Sequence, residues 1–216
     1  MMKGLYKIHY FLLFISICIG EVRNWDYHSA YLIPEKRWEI GLFQPFRYGY
    51  SDSFEYSTYP LWFFVMPNVT FKKKHQNILN YKFASKLGLL YPTPILNMVA
   101  REGLGGFIDP TFRIPPMLGI SLSLVMTNEF FDTDVTLNSG FDLGVKFGEL
   151  DQRANIELPL LYHRLSIFHN GYGLHSGIDL KNNLTKNISI FVDCDLSILP
   201  GTGTNETNSR MAKILG

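Results

Sequence analysis

The chain is poor in cysteine, in charge and in long apolar runs, and each shortage excludes something. It has two cysteines, Cys18 and Cys194. Cys18 lies in a segment that reads as a cleaved leader, so Cys194 keeps no partner for an internal disulfide. No CxxC pair offers a zinc site. Cys194 shares parity with Val192, Leu196 and Ile198 and reads as a thiol on an apolar face. Charged residues make up 18 % of the chain and the net charge is +1, so no strong field points to nucleic acid or to acidic substrates. So little charge suits a surface that faces lipid in part. Beyond Gly20 no stretch approaches the ~20 continuous apolar residues of a spanning helix. If the mature protein sits in a membrane, strands must put it there, and only closed barrels satisfy strand backbone groups in lipid. Gly-x-Ser-x-Gly is absent, and Gly103-Leu104-Gly105-Gly106 lacks the Gly-Lys-Ser/Thr of a phosphate loop.

What the chain does have is a leader and alternation. In Met1–Gly20, Lys3 and Lys7 form a basic start, Tyr10–Ile19 an apolar run and Cys18-Ile19-Gly20 a small-x-small end. That is the layout of a secretory signal peptide cleaved after Gly20, leaving residues 21–216 as a single domain. A lipid on Cys18 is the weaker reading, because Ile17 stands where such signals prefer a small residue.

Thr133–Gly148 carries the clearest pattern. Val135, Leu137, Phe141, Leu143, Val145 and Phe147 fall on one parity, and Asp134, Thr136, Asn138, Gly140, Asp142, Gly144 and Lys146 on the other. Alternate side chains of a strand point to opposite faces, so this ribbon has one greasy and one wet face. It is long enough for a tilted membrane strand of roughly 9–11 residues. Asn68–His75, Tyr81–Leu90, Met117–Thr127, Tyr172–Lys181 and Asn187–Leu199 alternate in the same way. Shorter strands are expected at Asn24–Ile33, Trp38–Phe43 and Phe54–Thr58, with Tyr48–Asp52 as turn chemistry. Asn97–Glu102 is expected to form a helical turn, and Ile156–Phe168 a short strand. Pro60–Pro67 encloses LWFFVM, either a loop packed on the domain or an aromatic segment at a membrane interface.

Connections alternate in length. Tyr48–Ser53, Gln76–Asn80, Asn128–Thr133 and Asn182–Lys186 are short; Tyr59–Pro67, Tyr91–Pro116 and Glu149–Gly171 are longer. In an up-and-down barrel this puts short turns at one end and long loops at the other, as in transmembrane barrels. Counting Asn24–Ile33 as the first, outward-running strand puts the short turns on the periplasmic side. The expected fold is all-β: an up-and-down antiparallel transmembrane β-barrel of about ten strands, the last beginning after Arg210 and incomplete at Gly216.

The leader, the alternating strands and the phrase RYGYSDSFEYS (Arg47–Ser57) resemble bacterial outer-membrane β-barrel proteins. The phrase is similar to the YG-x-[ST]-D-x-x-E strand–turn–strand of many uncharacterised barrels. The resemblance implies the bacterial outer membrane as location, with its lipid and the barrel assembly machinery as partners. Gly216 departs from the terminal aromatic residue, commonly Phe, that the machinery reads. No functional residue is carried over.

The polar parity gathers Lys82, Lys86, Asp142, Lys146, His175, Asp179, Lys181, Asp193 and Asp195 on one face. One reading is a charged pore wall for small solutes. The other, favoured because small barrels have filled interiors, is a packed interior of paired charges. Glycines on this face (Gly140, Gly144, Gly173, Gly177) would relieve crowding in a narrow lumen. No metal site is expected: His169 and His175 are separated by a loop, and a third ligand is missing. No cofactor and no enzyme activity are expected either, since Ser176 points away from His175 on the same strand. Lys72-Lys73-Lys74 reads as a solvated strand end or as a contact to anionic head groups. The expected function is structural or a passive small-solute pore. The alternative is a secreted or periplasmic soluble β-barrel that binds an apolar ligand on its greasy face. Which face points inward separates the two.

Overall fold

The computed structural model describes residues 27–41, 44–101, 108–131, 133–151, 165–185 and 188–198. The leader, residues 24–26 and the expected strand after Arg210 lie outside the described residues. Nine strands form one antiparallel sheet in sequence order. They are β1 (Trp38–Glu39), β2 (Phe46–Ser51), β3 (Phe54–Thr58), β4 (Asn68–Lys74), β5 (Lys82–Leu90), β6 (Met117–Phe130), β7 (Thr133–Lys146), β8 (Tyr172–Thr185) and β9 (Ile188–Ile198). Among the described residues three short helices lie in the connections: α1 (Pro60–Phe63), α2 (Thr93–Val99) and α3 (Leu165–Asn170). None is long and apolar enough to cross a membrane. Among the described residues no ladder joins β9 back to β1.

Alternation forms the strands, but the polarity of the two faces is inverted with respect to a water-soluble protein. On the greasy parity Leu122 is 48 % exposed, Leu124 52 %, Ile178 49 % and Val192 52 %. On the polar parity Arg47 is 1 % exposed, Glu55 1 %, Lys72 2 % and Thr127 0 %. From β2 to β8 the sheet buries most of its wet face and leaves much of its greasy one exposed; on β9 Asp193 and Asp195 of the wet parity are exposed as well.

That wet face is rolled around a segment of the chain itself. The sequence pattern predicts a strand over Asn24–Ile33; residues 27–33 instead take no regular structure and run along the polar face. Their backbone groups pair with side chains rather than with a neighbouring strand. The Ala30 N–H donates to Thr127 Oγ1 (2.8 Å) and the Ile33 N–H to Glu55 Oε2 (2.8 Å). Lys86 donates to the His28 carbonyl (3.2 Å) and Lys72 to that of Tyr31. The Tyr31 hydroxyl reaches Asp134 Oδ1 on β7 (3.0 Å), and the His28 ring lies 5.7 Å from that of Phe191 on β9. In a flat sheet β3 and β9 would be roughly 30 Å apart at ~4.8 Å per strand. One extended segment touches strands from β3 to β9, so the sheet curls around it.

Three further expectations change. Tyr48–Ser51 belongs to β2, and the turn is Asp52-Ser53. Gly49 stands there for close approach: a Cβ would lie 2.3 Å from the Pro34 carbonyl oxygen. With β2 in the wall and Asn24–Ile33 out of it, the count through β9 is unchanged, and Trp38–Glu39 becomes the first wall strand. The helical turn expected at Asn97–Glu102 lies earlier, at Thr93–Val99, where Pro94 occupies the first turn. The end of the strand expected over Ile156–Phe168 is helix α3, and residues 152–164 lie outside the described residues.

The long connections meet at one end of the sheet. Met66, Leu90, Ile95, Leu96, Ile108, Met117, Leu150 and Phe168 form a buried apolar cluster there, with Trp62 and Val65 packed against it. In Pro60–Pro67, Trp62, Val65 and Met66 pack inward, as a loop packed on the domain requires, while Leu61, Phe63 and Phe64 stay exposed. Helix α3 lies over β7 at Gly144, where a Cβ would sit 2.7 Å from the Ile167 carbonyl oxygen. This end of the polar face is capped.

Candidate functional site

The covered face holds two clusters. The first is ionic. The Arg47 guanidinium on β2 donates to Glu55 on β3 through Nε (3.2 Å) and Nη2 (3.0 and 2.9 Å). Lys72 Nζ on β4 stands 3.8 Å from Glu55 Oε1, and Glu39 on β1 is 3.7 Å from Arg47. Lys72 thus belongs to a buried ion cluster, while Lys73 and Lys74 remain the exposed strand end. This cluster is buried on the polar face and anchors residues 31–33 through the contacts given above.

The second cluster is Ser123, Asp142 and His175, from β6, β7 and β8. His175 Nδ1 is 2.9 Å from Asp142 Oδ2, and His175 Nε2 is 3.1 Å from Ser123 Oγ. A carboxylate only accepts, so Nδ1 carries hydrogen; in the neutral imidazole Nε2 then accepts and the serine hydroxyl donates. The register explains how three strands deliver this contact. Ser123 pairs with Gly140 and Gly140 with His175, which places the glycine between the serine and the histidine. A Cβ on Gly140 would lie 2.3 Å from His175 Nε2, so the imidazole lies across the bare backbone to reach Ser123. Gly177 does the same for Asp195, whose Oδ1 crosses it to Asn138 Nδ2 at 3.4 Å.

The other polar-parity residues are distributed around these clusters. Lys86 pairs with Ser123 in the β5–β6 register and stands 5.2 Å from the Tyr27 ring centroid. Lys82 lies 4.1 Å from the Tyr31 ring centroid. Asp179 is buried and faces Asp193 across the β8–β9 ladder. Lys181 pairs with Asp134 and Phe191, and Lys146 is exposed at the end of β7. Burial beside Tyr27 pushes the Tyr59 phenol above its ordinary value, so it stays a neutral hydroxyl at the capped end. No group of three metal-ligating side chains occurs among the described residues.

Of the site, sequence reasoning found Asp142 and His175 but not their meeting, and it passed over Ser123. Ser176 does lie on the opposite face, donating to the Asn138 carbonyl (3.1 Å). A groove of about 320 Å³ is lined by Ser85, Leu122, Leu124, Ser139 and Phe141 of that parity together with Lys86, Ser123 and Gly140 of the polar one.

Comparison with models of protein families, with curated proteins and with solved structures finds no match. The reading rests on the geometry alone.

Gly49 gives a direct check on the interior segment. Gly49→Ala is expected to push Pro34 off β2 and to loosen residues 27–33. Limited proteolysis of the folded protein should then cut that segment faster than in the unsubstituted chain.

Proposed function

We propose that the protein is an outer-membrane β-barrel with a filled interior, a membrane-embedded structural body and not an open pore. The observation that carries this reading is the inverted sheet, polar side chains covered and apolar ones exposed. In water the exposed row from Leu122 to Val192 is unfavourable by ~25 cal/mol per Å²; against lipid it is the stable arrangement. The exposed aromatics support it. Trp38, Tyr50, Phe130 and Phe131 stand toward the short-turn end, and Phe63, Phe64, Phe147 and Tyr172 toward the long-loop end. Aromatic girdles at both rims with an aliphatic band between are the pattern of membrane barrels. β6, β7 and β8 each run 14 residues, more than the roughly 9–11 a tilted crossing needs. A soluble barrel holding an apolar ligand needs the greasy parity inside, the reverse of this sheet.

Residues 27–33 and the apolar cap support a filled interior over a solute path. With Trp38–Glu39 running outward, the Asp52-Ser53 turn falls on the periplasmic side, and outer-membrane lipid is the partner of the apolar band. The test is to express the chain with its leader, wash membranes in alkaline carbonate and run unboiled and boiled samples on SDS gels. Retention in the outer-membrane pellet with a heat-dependent mobility shift, and silence in a planar bilayer, is the expected result. Release into the soluble periplasmic fraction would overturn the membrane reading.

A further inference from the structure

We infer that Ser123, His175 and Asp142 form a hydrolytic centre for short-chain carboxylic esters on the covered face of the sheet. The inference goes beyond the structural role and does not depend on lipid, because it rests on contacts within β6, β7 and β8. Three features carry it. Ser123 Oγ, both ring nitrogens of His175 and Asp142 Oδ2 form one continuous chain of contacts of 3.1 and 2.9 Å. This is the order in which a base takes a proton from a nucleophile while a carboxylate holds the ring. Gly140 removes the one Cβ that would block it. The His175 and Asp142 side chains keep 18 % and 11 % exposure, so the centre is sheltered but reachable.

The step balances with water as co-reactant. Ser123 Oγ attacks the ester carbonyl while its proton passes to His175 Nε2. The carbon–oxygen bond to the alcohol breaks, and the alcohol leaves with that proton. Water, deprotonated by the same nitrogen, then releases the carboxylic acid and restores the serine. Asp142 accepts from Nδ1–H throughout and balances the imidazolium. Lys86 is directly opposite Ser123 and supplies positive charge on the face where the oxyanion develops. The substrate class follows from the surroundings. The covered face is polar and crossed by residues 27–33, which suits a short acyl chain rather than a long one.

The experiment is labelling of the folded full chain with a fluorophosphonate, whose phosphorus bonds to the attacking serine as fluoride leaves. Mass spectrometry then maps the modified residue. Modification at Ser123 is expected, lost in Ser123→Ala, slowed about 10²–10⁴-fold in His175→Gln and retained in Ser176→Ala on the opposite face. Turnover of p-nitrophenyl acetate should fall in parallel. A folded chain that takes no label, or one labelled at another serine, overturns the proposal. Mapping in the unsubstituted protein decides this even if a variant fails to fold. Loss of the membrane reading, by contrast, would show as carbonate extraction with labelling intact.

Discussion

Glu55→Ala is expected to lower folding stability by about 3–5 kcal/mol, the usual cost of removing one partner from a buried ion cluster. The carboxylate accepts from Arg47 and from the Ile33 N–H and stands 3.8 Å from Lys72. Its loss takes a carboxylate from beside two cations, 1 % and 2 % exposed, and leaves Arg47 with the more distant Glu39 at 3.7 Å. It also frees the backbone of the interior segment. Urea titration in detergent, read by the fraction of heat-modifiable band, measures the effect. The combined change Arg47→Met, Glu55→Leu and Lys72→Met should recover most of it, because apolar replacements remove the desolvated charges together. A loss below ~1 kcal/mol for Glu55→Ala would mean that water screens the cluster as it does a surface pair.

Leu122→Arg separates lipid from water as the surroundings of the outer face. Leu122 is in the middle of β6 with 48 % of its surface exposed. At the midplane of a bilayer an arginine on the lipid face costs about 2–4 kcal/mol. On a solvated surface the same change stays within about 0.5 kcal/mol. The expected result, from urea unfolding of the protein in lipid vesicles, is the larger loss. An unchanged midpoint would remove the apolar band as a membrane contact and with it the proposed location.

Alternation made the strands from Asn68 onward legible, together with which side chains share a face, because period two is a local property. The β6–β7 register was not. The sequence pattern ends the first strand at Thr127 and takes Asn128–Thr133 as the turn, whereas the strands pair as far as Phe130 with Thr133, which sets Ser123 against Gly140. The next step was hidden too. β7 and β8 are joined through Glu149–Gly171, and a long loop imposes no register, so the place of His175 beside Gly140 could not be counted. That missing offset hid the Ser123 contact. Tyr48–Ser51 misread because glycine serves turns and close packing alike. Residues 27–33 misread because their spacing suits a strand, while the groups that hold them come from β3, β4, β5 and β6, far along the chain.

This last distance bears on the order of folding. The residues around Ala30 and Tyr31 precede every strand, yet Thr127 and Asp134 are 97 and 103 positions away. Contacts so remote form only after much loop entropy has been lost. The β6–β7 hairpin closes on itself early, through neighbours, whereas the filling has nothing to bind until the wall has curled. Residues 27–33 therefore find their partners only after the strands that supply them have formed, although they precede those strands in the sequence.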